Sequence, residues 1–130
     1  MKNRILKIAV LFIIIFLGLL TIEVNAAYKS NDPTVTSGGT ITITVKSTES
    51  LENYDISLKS YTGLTYVSCS AENAAVNKTT GKISFATLGT PVTTLGTYTF
   101  KAPQVTETTK FSVIFDIGVT QNKSTVTVNP

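Results

Sequence analysis

Residues 38–60 read Gly-Gly-Thr-Ile-Thr-Ile-Thr-Val-Lys-Ser-Thr-Glu-Ser-Leu-Glu-Asn-Tyr-Asp-Ile-Ser-Leu-Lys-Ser, and this stretch decides the fold class. Apolar side chains occupy every second position from 41 to 45 and again from 54 to 58. Because side chains in a strand alternate between two faces, each run predicts a half-buried β-strand. The Thr, Ile and Val residues of the first run also suit a pleated surface better than a helix.

The remainder of the chain repeats this pattern with turn signals between the runs. Lys78-Thr79-Thr80-Gly81 separates two short runs, which predicts a hairpin whose Gly81 adopts a positive φ. The polar segments 48–53 and 121–123 are interpreted as a connection and a turn. About nine short strands and no helix are predicted, which indicates an all-β antiparallel sandwich.

Alternation also predicts the inward-facing side chains of this sandwich. They are Ile41, Ile43, Val45, Tyr54, Ile56, Leu58, Leu64, Tyr66, Ile83, Phe85, Tyr98, Phe100, Phe111, Val113, Phe115, Ile117, Val126 and Val128.

The first 26 residues are typical of a signal peptide. Basic residues within the first seven positions precede an apolar run at 8–20, and Val24-Asn25-Ala26 supplies small residues for cleavage. We therefore expect cleavage before Ala27, one mature domain at 27–130, and a secreted protein that is extracellular or associated with the cell surface. A retained N-terminal anchor is the alternative.

The charge and the cysteine content limit the classes of partner and the ways in which the domain can be stabilised. Three of the 11 basic residues and one of the 8 acidic residues precede residue 27, so the remainder carries a net charge of +1 rather than +3. With no basic run, neither nucleic acid nor a membrane is an expected partner of the mature chain. Cys69 is the only cysteine, so an internal disulfide is excluded and packing must stabilise the domain. We expect a monomer, and leave open whether Cys69 is free or cross-linked to another molecule.

Catalytic chemistry has little support in the composition. The chain has no His, which excludes a Ser-His-Asp triad, a Cys-His pair and His metal sites. The carboxylates are scattered, and neither a calcium loop nor a glycine-rich phosphate loop is present. We expect no cofactor, no metal and no enzymatic activity.

Five motifs in order resemble the cohesin-like domains of secreted bacterial proteins, a family that belongs with the family 2 and family 3 carbohydrate-binding modules. The motifs are Ser-Gly-Gly-Thr-Ile-Thr-Ile-Thr-Val, Asn-Tyr-Asp-Ile-Ser-Leu, Gly-Leu-Thr-Tyr-Val-Ser, Gly-Lys-Ile-Ser-Phe-Ala and Thr-Tyr-Thr-Phe-Lys-Ala. The resemblance covers nearly the whole of residues 27–130.

The resemblance implies a jelly-roll sandwich of nine strands and a non-catalytic binding role. The partner would be a dockerin-bearing protein or a polysaccharide. The absence of Trp, the commonest component of flat polysaccharide-binding platforms, makes direct polysaccharide binding the less favoured of the two. A structural spacer or stalk domain of a surface protein or adhesin is the alternative function.

The resemblance also implies a partner-binding face, because cohesin-like domains bind through the flat outer face of one sheet. The strand that begins at Asn53 contributes to that face in the family, and Asp55 matches one of its polar positions. Alternation extends the candidate set of partner-binding residues on two strands, which is Asp55, Ser57, Lys59, Ser112, Ile114 and Asp116. Ile114 is either covered by a loop or an exposed apolar anchor in a polar surround.

Overall fold

A computed structural model describes residues 27–86 and 90–130, and the predicted signal peptide lies outside the described residues. Within these ranges every regular element is a strand, so no described helix is long and apolar enough to cross a membrane. There are ten strands: β1 (Tyr28–Ser30), β2 (Thr34–Thr36), β3 (Thr40–Leu51), β4 (Asn53–Ser60), β5 (Thr65–Ser70), β6 (Ala75–Asn77), β7 (Lys82–Ala86), β8 (Val92–Lys101), β9 (Thr109–Ile117) and β10 (Thr120–Asn129).

The strands form two sheets that enclose one core. The four-stranded sheet has the order β1-β3-β8-β5, and the six-stranded sheet has the order β2-β10-β9-β4-β7-β6. The pairing is antiparallel except for β2, which pairs with β10 in parallel. The antiparallel sandwich predicted from the alternation is confirmed.

The core contains the predicted inward side chains. All of them are buried except Leu58, Tyr66 and Phe111, which are partly buried against the core. Leu95 and Cys69 join the core although the alternation did not select them, and Cys69 is free. Burial of a large apolar side chain stabilises a fold by about 1.5–3 kcal/mol, so packing of this set stabilises a domain whose single cysteine cannot form an internal disulfide.

The observed strands differ from the sequence-based prediction at three places. β1 was not predicted, and β3 continues to Leu51 through the segment interpreted as a connection. The turn expected at 121–123 is wrong, because the chain turns at Gly118 with φ 61° and β10 begins at Thr120. These segments lack a sustained alternation, since Tyr28 and Leu51 are the single apolar side chains that β1 and the end of β3 pack against the core. Backbone pairing therefore forms the strands without an apolar pattern to reveal them.

The first two strands belong to different sheets, and two side chains bridge the switch between them. The Asn31 side chain donates to the Thr42 carbonyl at 3.0 Å and accepts from the Thr44 amide at 2.7 Å, so it imitates a peptide group beside β3. One residue later, Asp32 accepts from the Thr125 amide of β10 at 2.8 Å. Each side chain therefore extends the pairing of one sheet while the backbone crosses to the other.

A β-bulge in β8 allows the two sheets to approach closely. The register shifts after Val45, which pairs with Gly96, so Leu95 is inserted into the ladder and is fully buried. Tyr54 of the opposite sheet donates its hydroxyl to the Leu95 carbonyl at 2.6 Å. A Cβ atom on Gly96 would lie 2.5 Å from Cδ1 of Ile83, so this position has no room for a side chain.

Gly96→Ala is expected to lower the free energy of unfolding by about 1–3 kcal/mol, the usual cost of overpacking a core. Urea denaturation followed by tyrosine fluorescence measures this loss. In an Ile83→Val background, which lacks the clashing Cδ1 atom, the same substitution should cost less because the two changes are coupled. An equal cost in both backgrounds would contradict this account of the contact.

Candidate functional site

All six predicted partner-binding residues lie on the outer side of the six-stranded sheet, on its two central strands. β4 and β9 are neighbours, and Ser57 is directly opposite Asp116 in their register. The inward neighbours Ile56 and Ile117 are also paired and are buried. The six residues therefore share one face of the sheet, which is the face that the alternation predicts. Their role in binding stays a prediction.

A bulge at the end of β4 adds one residue that the alternation missed. The register with β9 shifts between Leu58 and Ser60, so Lys59 and Ser60 together lie opposite Ile114. Strict alternation would turn Ser60 inward. The bulge instead places it in register with an outward residue, and sequence pattern alone carries no signal for an inserted residue.

β10 supplies a third row of outward side chains. Gln121, Lys123 and Thr125 are paired with Asp116, Ile114 and Ser112, respectively. The sequence-based interpretation missed this row because it placed a turn at 121–123. We define the outer face as the central outward residues of β4, β9 and β10, namely Asp55, Ser57, Lys59, Ser60, Ser112, Ile114, Asp116, Gln121, Lys123 and Thr125. Lys110 and Thr127 are paired and continue the rows of β9 and β10 at its margin.

Ile114 is the only apolar side chain of the outer face. It lies between Lys123 on one side and Ser60 on the other, and it is half-buried rather than part of the core. Its neighbours along β9, Ser112 and Asp116, are also polar. An apolar side chain at the centre of a polar surface is the arrangement found at the centre of many protein interfaces.

Beside β4, the outer face leads into an open polar cavity. The cavity has a volume of about 480 Å³, and its polar groups come from Asn53, Asp55, Asn73 and Ser84. The Ser84 hydroxyl donates to Oδ1 of Asp55 at 2.6 Å, which orients the carboxylate and leaves its second oxygen available to a ligand. Asn73 has φ 55°, and it shapes the turn that closes this cavity.

Aromatic packing beneath the outer face supports Asp55 and its neighbours. The rings of Tyr54 and Phe85 stack with centroids 5.1 Å apart and an interplanar angle of 19°. Burial raises the pKa of Tyr54. Burial also raises the pKa of Tyr98, whose hydroxyl donates to the Gly81 carbonyl at 2.7 Å, and the nearby Cys69 raises this pKa further. These phenols are structural donors, and none lies on the outer face.

The outer face presents groups that are suited to recognition. Across 27–86 and 90–130, no group of three or more His, Cys, Asp or Glu side chains is placed to hold a metal ion. The outer face instead offers hydroxyl, amide, carboxylate and ammonium groups around one apolar side chain. Such a surface can form hydrogen bonds and ion pairs with a macromolecular partner.

The chain shares its fold with known structures. No protein-family model matches the chain, and no curated protein sequence matches it either. A cohesin of Acetivibrio cellulolyticus scaffoldin B, solved with a mutant dockerin, superimposes with a TM-score of 0.61, covering 82% of this chain and 99% of its own at 15% identity. The fold is that of a cohesin domain.

Two further cohesins have the same jelly-roll sandwich. A non-cellulosomal cohesin of the archaeon Archaeoglobus fulgidus gives a TM-score of 0.58 at 12% identity, over 82% of this chain and 93% of its own. The OlpA cohesin of Clostridium thermocellum, solved with a dockerin, gives 0.55 at 9% identity, over 80% and 97%. These TM-scores establish a shared fold despite the low sequence identities, and the expected jelly roll is thereby confirmed.

The buried phenols predict a specific alkaline behaviour. Burial is the main reason that the pKa values of Tyr54, Tyr66 and Tyr98 are raised in the folded state. Above pH about 10 the unfolded chain loses phenolic protons that the folded chain retains, so the free energy of unfolding should fall as the pH rises. Urea denaturation at a series of alkaline pH values measures this fall.

Absorbance of tyrosinate provides the direct test of the same prediction. In the native protein, only some of the five tyrosines should ionise before unfolding, whereas in concentrated urea all should ionise together. If the native and the urea-denatured chains gave the same titration curve, the three phenols would not be protected by the fold.

Proposed function

We propose that residues 27–130 form an exported, non-catalytic module that binds a dockerin-like protein through the outer face. Residues 1–26 serve as the signal peptide in this proposal, and the module acts outside the cell. The observation that carries the proposal is the half-buried Ile114 at the centre of a polar surface on the two central strands.

The size of the six-stranded sheet supports a macromolecular partner. The six strands contain 38 residues in all, and β10, β9 and β4 are the longest, with 10, 9 and 8 residues. At a strand spacing of about 4.8 Å and a rise of about 3.3 Å per residue, one side of the sheet presents roughly 600 Å² before its loops are added. A standard protein interface buries about 800 Å² on each partner. The outer face and its margins are therefore large enough for one partner domain, whereas the open cavity beside Asp55 is suited to receive a single polar side chain.

The composition of the outer face favours protein over neutral polysaccharide as the ligand of this surface. None of its residues is aromatic, so it offers no ring against which a sugar could stack. It carries carboxylates on Asp55 and Asp116 as well as ammonium groups on Lys59 and Lys123, a mixture that allows charge complementarity with a specific partner. Dockerins are the partners named for the solved cohesin complexes from Acetivibrio cellulolyticus and Clostridium thermocellum.

Ile114→Ser is expected to weaken binding of a dockerin-bearing protein by about 1–2 kcal/mol or more, the range of an interface hot spot. The loss has a physical cause, since the substitution removes the apolar contact from the centre of the face. Thermal stability should change little, because Ile114 is outside the core. A pull-down against dockerin-bearing proteins and insoluble glycans identifies the ligand, and calorimetry with the retained protein measures the loss.

Val67→Ser is the matched control, since Val67 is an exposed apolar residue, 54% exposed, on a strand of the other sheet. It should leave binding of the same protein unchanged. A lower melting temperature with intact binding for Ile114→Ser would place Ile114 in the core and refute the proposed face. Retention by glycan alone would favour a carbohydrate-binding module, and retention by neither ligand a spacer domain.

Export is tested by the mass of the secreted protein. Expression of the full chain in a bacterium with a general secretion pathway should release a protein whose intact mass corresponds to Ala27 as the first residue. The reason is the order of basic, apolar and small residues in the first 26 positions. Recovery of the full-length mass from the membrane fraction would instead identify a retained anchor.

A further inference from the structure

The opposite side of the sandwich, the outward side of the four-stranded sheet, carries regular rows of hydroxyl groups. Thr44, Thr97 and Ser70 form one row across three strands, and the Thr44 and Thr97 hydroxyl oxygens are 3.5 Å apart. The next row contains Thr42, Thr99 and Ser68. We define the hydroxyl face as Lys29, Thr40, Thr42, Thr44, Lys46, Thr65, Ser68, Ser70, Thr94, Thr97, Thr99 and Lys101. One exposed apolar side chain, Val67, is inserted beside Ser68 by a bulge in β5.

The fold gathers three lysines on this face that are far apart in the sequence. Lys29 of β1 lies directly opposite Lys46 of β3, and Lys101 of β8 lies between Thr40 and Thr65 at the other end. No carboxylate belongs to the hydroxyl face. Glu72 lies beyond the end of β5, where it lines a separate cavity together with Thr94 and Thr97. The charge of this face is thus positive, whereas the outer face carries both signs.

The pairing of Lys29 with Lys46 is unfavourable in the free protein. Directly opposed side chains on antiparallel strands have Cβ atoms about 4.5–5.5 Å apart, and like charges in that position destabilise the sheet. The two lysines border an open cavity of about 450 Å³, which is completed by Ser30, Asn31 and Thr44. No acidic residue lines this cavity, so an anion from outside would relieve the repulsion.

The floor of this cavity is held in place by hydrogen bonds to the backbone of β3 and to a side chain of β10. Asn31 is fixed by its two hydrogen bonds to the backbone of β3. Ser30 is fixed from below, since its hydroxyl accepts a hydrogen bond from the Asn122 side chain at 2.7 Å. The cavity therefore retains its shape between two lysine side chains that remain exposed.

We propose that the hydroxyl face binds an acidic polysaccharide in which carboxylated sugars alternate with neutral ones. A sugar carboxylate lies between Lys29 and Lys46, and neutral sugars exchange hydrogen bonds with the threonine rows, because a hydroxyl group both donates and accepts. Lys101 receives a second carboxylate about 20 Å away, the length of the six residues that separate Thr40 from Lys46 along β3.

The chemistry of the hydroxyl face distinguishes this polymer from other anions. None of its residues is aromatic, so the bases of a single-stranded nucleic acid would find no stacking platform. Its cations form one adjacent pair, Lys29 with Lys46, and one distant single cation, Lys101, with uncharged hydroxyls between the pair and Lys101. This arrangement suits a polymer of sparse charge better than a polyphosphate with a charge on every unit. This proposal does not depend on the function proposed for the outer face.

The test uses residues 27–130 and hyaluronan, in which carboxylated and neutral sugars alternate, with dextran as the neutral polymer. Calorimetry at low salt should show binding of hyaluronan and none of dextran. The double variant Lys29→Gln, Lys46→Gln should bind hyaluronan at least about tenfold more weakly, because it loses two charged hydrogen bonds. Raising the salt concentration should weaken wild-type binding as it screens the charges.

The matched control is the double variant Lys59→Gln, Lys123→Gln, which removes the same charge from the opposite side of the sandwich. It should bind hyaluronan as the wild type does, and so should Ile114→Ser. The proposal is overturned if the two double variants lose affinity equally, if dextran binds as well as hyaluronan, if polyphosphate binds more tightly than hyaluronan, or if wild-type protein does not bind hyaluronan.

Discussion

The structure depends on the burial of alternate side chains between two sheets that no disulfide holds together. Because the period of a strand is two, a slip of one residue would exchange its buried and its exposed side chains. Fully buried residues such as Ile43, Tyr98 and Phe115 therefore fix the register of each strand. The same constraint determines both outward surfaces, since every residue between two core residues must face solvent.

Two bulges each insert one extra residue into a strand, and the alternation is kept on both sides of the insertion. At Leu95 and Gly96 two successive residues occupy the position opposite Val45, and both are buried. At Lys59 and Ser60 two successive residues lie opposite Ile114 on the outward side. An inserted residue is absorbed locally in each case, and the alternation resumes correctly beyond it.

The sequence was informative where one face of a strand is apolar and the other is polar. The core, the hairpin with Gly81 at φ 81° and the grouping of the six candidate residues followed from this contrast. It was uninformative where no alternation is sustained, as in the three residues of β1 and the polar first half of β10, because pairing with a neighbouring strand creates those segments. The register between strands, which places Lys29 opposite Lys46, depends on contacts distant in the chain.

The two outward surfaces lie on opposite sides of the core, and they differ in chemistry. The outer face combines both charges with one apolar side chain, and the hydroxyl face combines cations with threonines. The core separates them, so a ligand on one side leaves the other side accessible. Under the two proposals made above, one small domain holds two different macromolecules at once, with β3 and β8 exposed to one and β4 and β9 to the other.

The parallel pairing of β2 with β10 has a mechanical consequence. Parallel neighbours run in the same direction, so tension applied at residues 27 and 130 pulls these two strands lengthwise past each other. The hydrogen bonds of Asn129 with the Ser37 amide, at 2.8 Å, and of Thr127 with the Pro33 carbonyl, at 3.0 Å, then bear the load together rather than opening one after another. The parallel β2–β10 pair therefore resists extension when the force is applied at residues 27 and 130.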